Sequence, residues 1–267
     1  MSTVKELSNL NGRVSIITGA TGHLGKVISE TLAELGSDLI LIDRPESDFS
    51  TMISDLKQRW GVEVETYSCD LELPNQRKEL ISSVVNSHKE LNCLINNAAF
   101  VGTSELSGWS VPFEQQTSET FSRALEVNLT AVFDLAKGFS STLKNSKGAN
   151  IINIASIYGM YAPDWDLYEG TDMNNPAAYG SSKAGLIQLT RWLSTQLAPQ
   201  VRVNSISPGG IFRNQEKEFV KRYKAKTPLE RMATEDDLKG AISFLATDLS
   251  KYVTGQNLSV DGGWGVM

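Results

Sequence analysis

Short β-branched and apolar runs alternate along this chain with segments of helical period, and that alternation constrains the fold more than any other feature. VSIIT at 14–18, DLILI at 38–42, VEVETYSC at 62–69 and LNCLIN at 91–96 have the length and residue types of strands. A polar, irregular stretch near 100–116 follows. The pattern then resumes with a helix through about 117–145, ANIINIAS, a helix over about 177–198, VRVNSIS and QNLSV. Strands separated by helices pair in parallel, because a parallel connection needs a crossover long enough to hold one. The sequence therefore predicts an α/β fold: a doubly wound, seven-stranded parallel sheet with helices on both faces. Its ligand crevice should lie at the carboxyl ends of the strands. With 267 residues, 40% of them hydrophobic, the chain suits one domain spanning 1–267 around one buried core.

The first strand runs into GATGHLG and then into KVISETLAELG, so Gly19, Gly22 and Gly25 sit where a strand turns into a helix. Glycines let the backbone approach a pyrophosphate, and the amides and dipole of the helix start attract its charge. Thr21, His23 and Leu24 share the turn and its contact with a dinucleotide. For His23 the expected contribution is a backbone amide rather than a catalytic imidazole, and His88, in a polar helix tail, reads as solvated. The next strand ends at Asp43, where a carboxylate accepts hydrogen bonds from the adenosine ribose. This favours NAD over NADP. Arg44 could meet a 2′-phosphate, but the neighbouring carboxylate would still repel it.

Tyr179 and Lys183 stand four apart in a helical segment and project from one face. Such a pair arises by chance about 0.4 times in a chain of this composition, so the alternative is a surface tyrosine beside a solvated lysine. The chemistry of the pair is coherent. Ionising a phenol at pH 7 costs about 4 kcal/mol, and an ammonium about 4 Å away supplies a similar amount at an effective dielectric of about 20. Lysine can thus make tyrosine a usable acid or base. Ser156 ends the strand ANIINIAS, where its hydroxyl would face the same crevice. Asn128, polar on an otherwise apolar helical stripe, is either a structural asparagine or part of a polar relay.

With these residues in view, the chain resembles the short-chain dehydrogenase/reductase family over essentially its whole length. TGATGHLG, CDL at 69–71, NNAA at 96–99, the Asn128 segment, Ser156, YGSSK, VRVNSISPGG and VTGQNLSVDGGW occur in order. The resemblance implies a Rossmann-type fold and an NAD(P)-dependent oxidoreductase acting on a secondary alcohol or ketone. It also implies that Tyr179 is the catalytic acid/base, that Lys183 lowers its pKa and holds the nicotinamide ribose, that Ser156 orients the substrate oxygen, and that Asn128 anchors a relay water. Asp70 and Leu71 would touch the adenine, and Asn97, Ala98 and Ala99 would line the cofactor. The backbone of Pro208, Gly209 and Ile211 would meet the carboxamide. Family members commonly pair through the two long helices, which implies a homodimer or homotetramer.

Departures from the compact branch of the family are informative. The glycine motif reads TGxxGxxG instead of TGxxxGxG, with His23 at a usual glycine site. Arg213 stands where a threonine usually follows the proline-glycine turn. The interval from Ser156 to Tyr179 is longer than in the compact branch and looks like that of the nucleotide-sugar-modifying branch. Residues 160–176 then form an inserted flap. NNAA, SPGG and VDGG remain compact-branch features, so the reading is a compact member with an insertion.

Residues 213–231 hold seven basic side chains against Glu216, Glu218 and Glu230, in a chain of net charge −6. Within a substrate lid spanning about 210–232, this sign reversal points to an anionic sugar, phosphorylated or nucleotide-linked, met by Arg213. The alternative is a solvated lid helix. Tyr158, Tyr161, Trp165 and Tyr168 could stack on a sugar ring or pack the flap down. Two other functions compete with net oxidoreduction: an epimerase or dehydratase that retains NAD, and a cofactor-binding regulator without turnover. Negative net charge argues against nucleic acid and anionic membranes as partners. No apolar run reaches the roughly 20 residues of a membrane span, and the polar start lacks the apolar centre of a secretion signal, so the expected compartment is cytoplasmic. Cys69 and Cys93 lack metal-ligand spacing and read as small core residues; no metal is expected.

Overall fold

A computed structural model describes residues 1–101 and 106–267. Residues 102–105, part of the irregular stretch expected near 100–116, lie outside the described residues. The strands are β1 (Val14–Thr18), β2 (Asp38–Asp43), β3 (Val64–Ser68), β4 (Cys93–Asn96), β5 (Asn150–Ile154), β6 (Arg202–Pro208) and β7 (Asn257–Val260). All pair in parallel in the order β3-β2-β1-β4-β5-β6-β7. The chain thus winds outward one way from β1 and the other way from β4, and the crevice opens where the direction switches.

The crossovers are α1 (Val4–Leu7) at the start, then α2 (His23–Glu34), α3 (Ser50–Trp60), α4 (Pro74–Ser87), α5 (Ser118–Leu125), α6 (Ala131–Lys144), α7 (Ala177–Leu197), α8 (Lys217–Lys226) and α9 (Lys239–Ala246). Successive strand residues point to opposite faces. Ile16, Ile40, Leu94 and Ile151 pack under α4, α6 and α7 through Leu80, Phe139 and Leu193. Their neighbours Ile17, Leu41, Ile95 and Ile152 pack under α2 and α9 through Ile28, Leu32 and Leu245. Strands buried on both faces read as near-continuous apolar runs, which is why they were legible. Cys69 and Cys93 are free and buried, and burial pushes their thiols up to about 11 and about 12.

The helix expected over 117–145 carries a π-helical turn, Glu126–Thr130, between α5 and α6. Asn128 sits in it, and single π turns inside α-helices often mark functional sites. Arg77, 2% exposed, holds this region from beneath. Its guanidinium donates to Glu126 at 2.6 Å, to Asp134 at 2.9 Å and to the Leu71 carbonyl at 2.6 Å. One buried cation therefore ties the loop after β3 to the π turn.

Candidate active site

A cleft of about 920 Å³ opens at the carboxyl ends of the strands. At one end lies the turn after β1. Gly19 has φ +65°, and a Cβ there would stand 2.8 Å from Ala98 Cα. A Cβ on Gly25 would stand 2.0 Å from the Gly19 carbonyl oxygen. These two glycines close the turn against α2 and against the loop after β4. Gly22 precedes α2, and no side chain caps the first amides of the helix. Thr21, His23 and Leu24 line the cleft beside them.

Asp43 ends β2 at the rim of this turn. Its carboxylate accepts from Thr21 N at 2.8 Å, Thr21 Oγ1 at 2.7 Å and Arg44 N at 2.9 Å. The Arg44 side chain is exposed and lies 4.0 Å from Glu46. Asp70 and Leu71 line the cleft after β3, and Asn97, Ala98 and Ala99 line it after β4. Thr18 Oγ1 accepts from the amides of Asn97 and Ala98, both at 3.1 Å, while Asn97 Nδ2 donates to the carbonyls of Thr18 and Gly19, both at 3.0 Å. The NNAA loop is thereby fixed to the glycine turn.

Mid-cleft, Ser156, Tyr179 and Lys183 converge. The long Ser156-to-Tyr179 interval does not separate them, because the turn Ile157–Gly159 lies directly on α7. A Cβ on Gly159 would stand 2.7 Å from the Lys183 carbonyl carbon, and one on Gly180 would stand 3.0 Å from the Tyr158 carbonyl oxygen. Tyr179 is half-buried in the cleft wall, and burial raises its phenol above the usual value; the Ser156 hydroxyl and the Arg213 guanidinium oppose the rise. Lys183 is 2% exposed, donates to the Ile154 carbonyl at 2.7 Å, and is lowered to about 8 by burial. Its ammonium is directed at a strand-end carbonyl, 5.8 Å from the Tyr179 ring centre.

Asn128, 1% exposed, lies beneath the cleft and does not line it. Its Oδ1 accepts from Phe100 N at 2.6 Å, and its Nδ2 donates to Ser182 Oγ at 3.0 Å. Ser182 in turn donates to the Tyr179 carbonyl at 2.8 Å. The side chain thus joins the loop after β4 to the first turn of α7, with both amide ends engaged. Ser182, three residues after the tyrosine, is a partner that the helical spacing could have revealed. Pro208, Gly209 and Ile211 follow β6 on the opposite wall, and Tyr223 Oη accepts from Gly210 N at 2.5 Å.

A family model described as enoyl-(acyl carrier protein) reductase, of the short-chain alcohol dehydrogenase type, matches residues 19–265. The chain belongs to the short-chain dehydrogenase/reductase family. It is an NAD(P)-dependent enzyme of the kind that acts on alcohols and ketones. A tropinone reductase homologue of Arabidopsis thaliana is 30% identical to this short-chain dehydrogenase/reductase over 100% of this chain and 97% of the relative. A short-chain dehydrogenase from Leptospira borgpetersenii with bound NAD+ is 34% identical with TM-score 0.82, covering 99% of this chain and 96% of that one. The NADPH-dependent 3-quinuclidinone reductase of Rhodotorula rubra is 27% identical with TM-score 0.85, covering 100% and 96%.

The far half of the cleft in this short-chain dehydrogenase/reductase is built by the insertion and the lid together. Residues 160–176 contain Asp164, Asp166, Glu169 and Asp172 and no basic side chain. Lys226 pairs with Asp164, Arg222 donates to the carbonyls of Asp166 and Glu169, and Glu216 accepts from Asp172 N at 3.0 Å. Arg231 pairs with Asp237 at 2.6 Å. Four of the lid's seven basic side chains, Arg213, Arg222, Lys226 and Arg231, therefore have protein partners. Beneath these contacts Ile157, Leu167, Phe219, Tyr223, Met232 and Trp264 form a separate apolar cluster. Tyr161 packs on Trp264 and Trp165 is exposed, whereas Tyr158 and Tyr168 face the cleft with Met173. Arg213 also faces it, held by Glu235 at 3.0 Å. Among the described residues no helix is long and apolar enough to cross a membrane, and no His, Cys, Asp and Glu cluster could hold a metal.

Proposed function

We propose that this chain transfers a hydride between NAD and a secondary alcohol or ketone, with Tyr179 exchanging the proton on the substrate oxygen. The convergence of Tyr179, Ser156 and Lys183 in the cleft that begins at the glycine turn carries this reading. The cleft suits a dinucleotide: its glycines leave no room for a Cβ, and the uncapped first amides of α2 are available to a pyrophosphate. Gly19, Gly22 and Gly25 would hold the pyrophosphate, Asp43 the adenosine ribose, Asp70 and Leu71 the adenine, and Lys183 the nicotinamide ribose. When bound, the nicotinamide supplies the hydride acceptor or donor. Ser156 positions the substrate oxygen and helps keep the Tyr179 phenol within reach of proton exchange. Asn128 acts through Phe100 and Ser182, setting the loop after β4 against the tyrosine's helix.

Asp43 supports NAD over NADP. A 2′-phosphate here would meet its carboxylate and that of Glu46, and like charges so placed cost several kcal/mol. Calorimetry with both oxidised dinucleotides tests the assignment. Wild type should bind NAD+ at least about tenfold more tightly, and Asp43→Ser should shrink or invert that preference. A wild-type preference for NADP+ would refute it.

Arg213 supports an anionic, oxygen-rich substrate such as a phosphorylated or nucleotide-linked sugar, because it keeps a guanidinium in the cleft while Arg222, Lys226 and Arg231 bond to protein groups elsewhere. Phe133 on α6 and Trp192 on α7 stay 39% and 51% exposed on the two long helices, which supports homodimer or homotetramer formation through those faces.

A further inference from the structure

Tyr158 and Tyr168 face the cleft with their hydroxyls 2.7 Å apart. Asn175, 6% exposed, donates its Nδ2 to Tyr168 Oη at 3.1 Å. No other polar atom among the described residues bonds either hydroxyl. Each phenol carries one proton, and one of the two fills the contact between them. Asn175 turns its Nδ2 donor to the pair, and its Oδ1 bonds neither hydroxyl. Whichever way the pair is oriented, one O–H is left without a protein acceptor. Burial and the Tyr168 contact push the Tyr158 phenol further above its usual value, so it remains a donor. A half-buried donor in an aromatic wall is costly unless whatever fills the cleft accepts from it.

We infer that the Tyr158–Tyr168 pair, completed by the 160–176 insertion, is a substrate-positioning donor for a second oxygen near the reacting carbon. The preferred substrate class is accordingly hydroxylated or otherwise oxygenated alcohols and ketones rather than simple ones. The inference rests on the proposed hydride transfer. It assigns the insertion a role in selecting substrate: Tyr158 follows Ser156 by two residues, and its amide donates to Ser156 Oγ at 3.2 Å. The second oxygen is thereby read close to the first.

Matched probes test this with the full chain: 2-butanol against 2,3-butanediol, cyclohexanol against 1,2-cyclohexanediol, and 2-butanone against acetoin, followed by absorbance of the reduced nicotinamide. Wild type should favour the oxygenated member of each pair by about tenfold or more in kcat/KM. The double variant Tyr158→Phe/Tyr168→Phe should bring the ratio to within about twofold. Each single variant should retain part of the preference, because the remaining phenol still has a free proton. Asn175→Asp keeps both rings but replaces a donor with an acceptor that takes up the spare hydrogen, so it too should erase the preference. Loss of packing alone would not produce that result. Equal wild-type use of both members, or a preference that survives Asn175→Asp and the double variant, overturns the inference. Turnover of no pair by a chain that binds NAD+ in calorimetry also contradicts it and leaves the cofactor assignment standing. Failure of the folded chain to bind either dinucleotide would instead sink the reading on which it rests.

Discussion

Replacing Tyr179 by Phe should lower kcat by about three orders of magnitude while leaving the Kd for NAD+ within about twofold. The substitution removes one oxygen and keeps the ring that packs beside Ala178 and Phe100. A positioned acid or base supplies about 10²- to 10⁴-fold. Ser156 remains, but a serine hydroxyl is too weak an acid to take over the proton. The direction of the pH dependence follows from the raised phenol of Tyr179. At pH 7 the folded chain holds this group protonated, ready to donate to a carbonyl oxygen. Alcohol oxidation needs the ionised form, so its rate should climb as pH rises above neutrality, while ketone reduction should not. Steady-state kinetics in both directions, with NAD+ binding measured separately, check each part. A variant that retains most of the wild-type turnover would remove Tyr179 from the proton transfer.

Gly25→Ala should weaken NAD+ binding by at least about a hundredfold, or roughly 3 kcal/mol. The added Cβ would stand 2.0 Å from the Gly19 carbonyl oxygen and 2.8 Å from both Ala20 Cα and Ala20 O. All three contacts are backbone, and no flexible side chain can yield. Either the turn opens or α2 moves outward, and both displace the amides that would face the pyrophosphate. Gly240→Ala in α9 is the control, since a Cβ there meets nothing within 4 Å and alanine is the better helix former. Calorimetry should show lost affinity for Gly25→Ala alone. Near-normal affinity would mean that the turn is not the anion site.

Much of the sheet was legible because parallel strands buried on both faces leave unbroken apolar runs, and DLILI and LNCLIN lie within a residue or two of β2 and β4. The glycine turn was legible for a different reason. Gly19 and Gly25 answer to local backbone geometry, which residue type records directly. Long-range contacts were harder to read. The π turn at Glu126–Thr130 left only the polar Asn128 as a trace, and its partners Phe100 and Ser182 lie 28 and 54 residues away. The basic lid suggests an anion in the substrate; in the fold Lys226 pairs with Asp164 of the insertion and Arg222 donates to the carbonyls of Asp166 and Glu169, contacts visible only when the two segments are compared. The pairing expected between Lys183 and Tyr179 rests on helical spacing and on the family resemblance. That spacing does not reveal the Ile154 carbonyl toward which the ammonium turns. Tyr168 and Asn175 escaped notice as polar groups because nothing in the linear pattern places their side chains against Tyr158.

A crystal structure of the chain with NAD+ tests the central claim most directly, since the claim is that one cleft brings the Tyr179 phenol and the nicotinamide together. The predicted result has the pyrophosphate at the glycine turn and the adenosine ribose at Asp43. The nicotinamide should lie between Tyr179 and the Pro208–Ile211 backbone, with Lys183 Nζ within about 3 Å of the nicotinamide ribose hydroxyls. A dinucleotide bound with its nicotinamide end away from Tyr179, or with Lys183 still held only by the Ile154 carbonyl and out of reach of the ribose, would contradict the account.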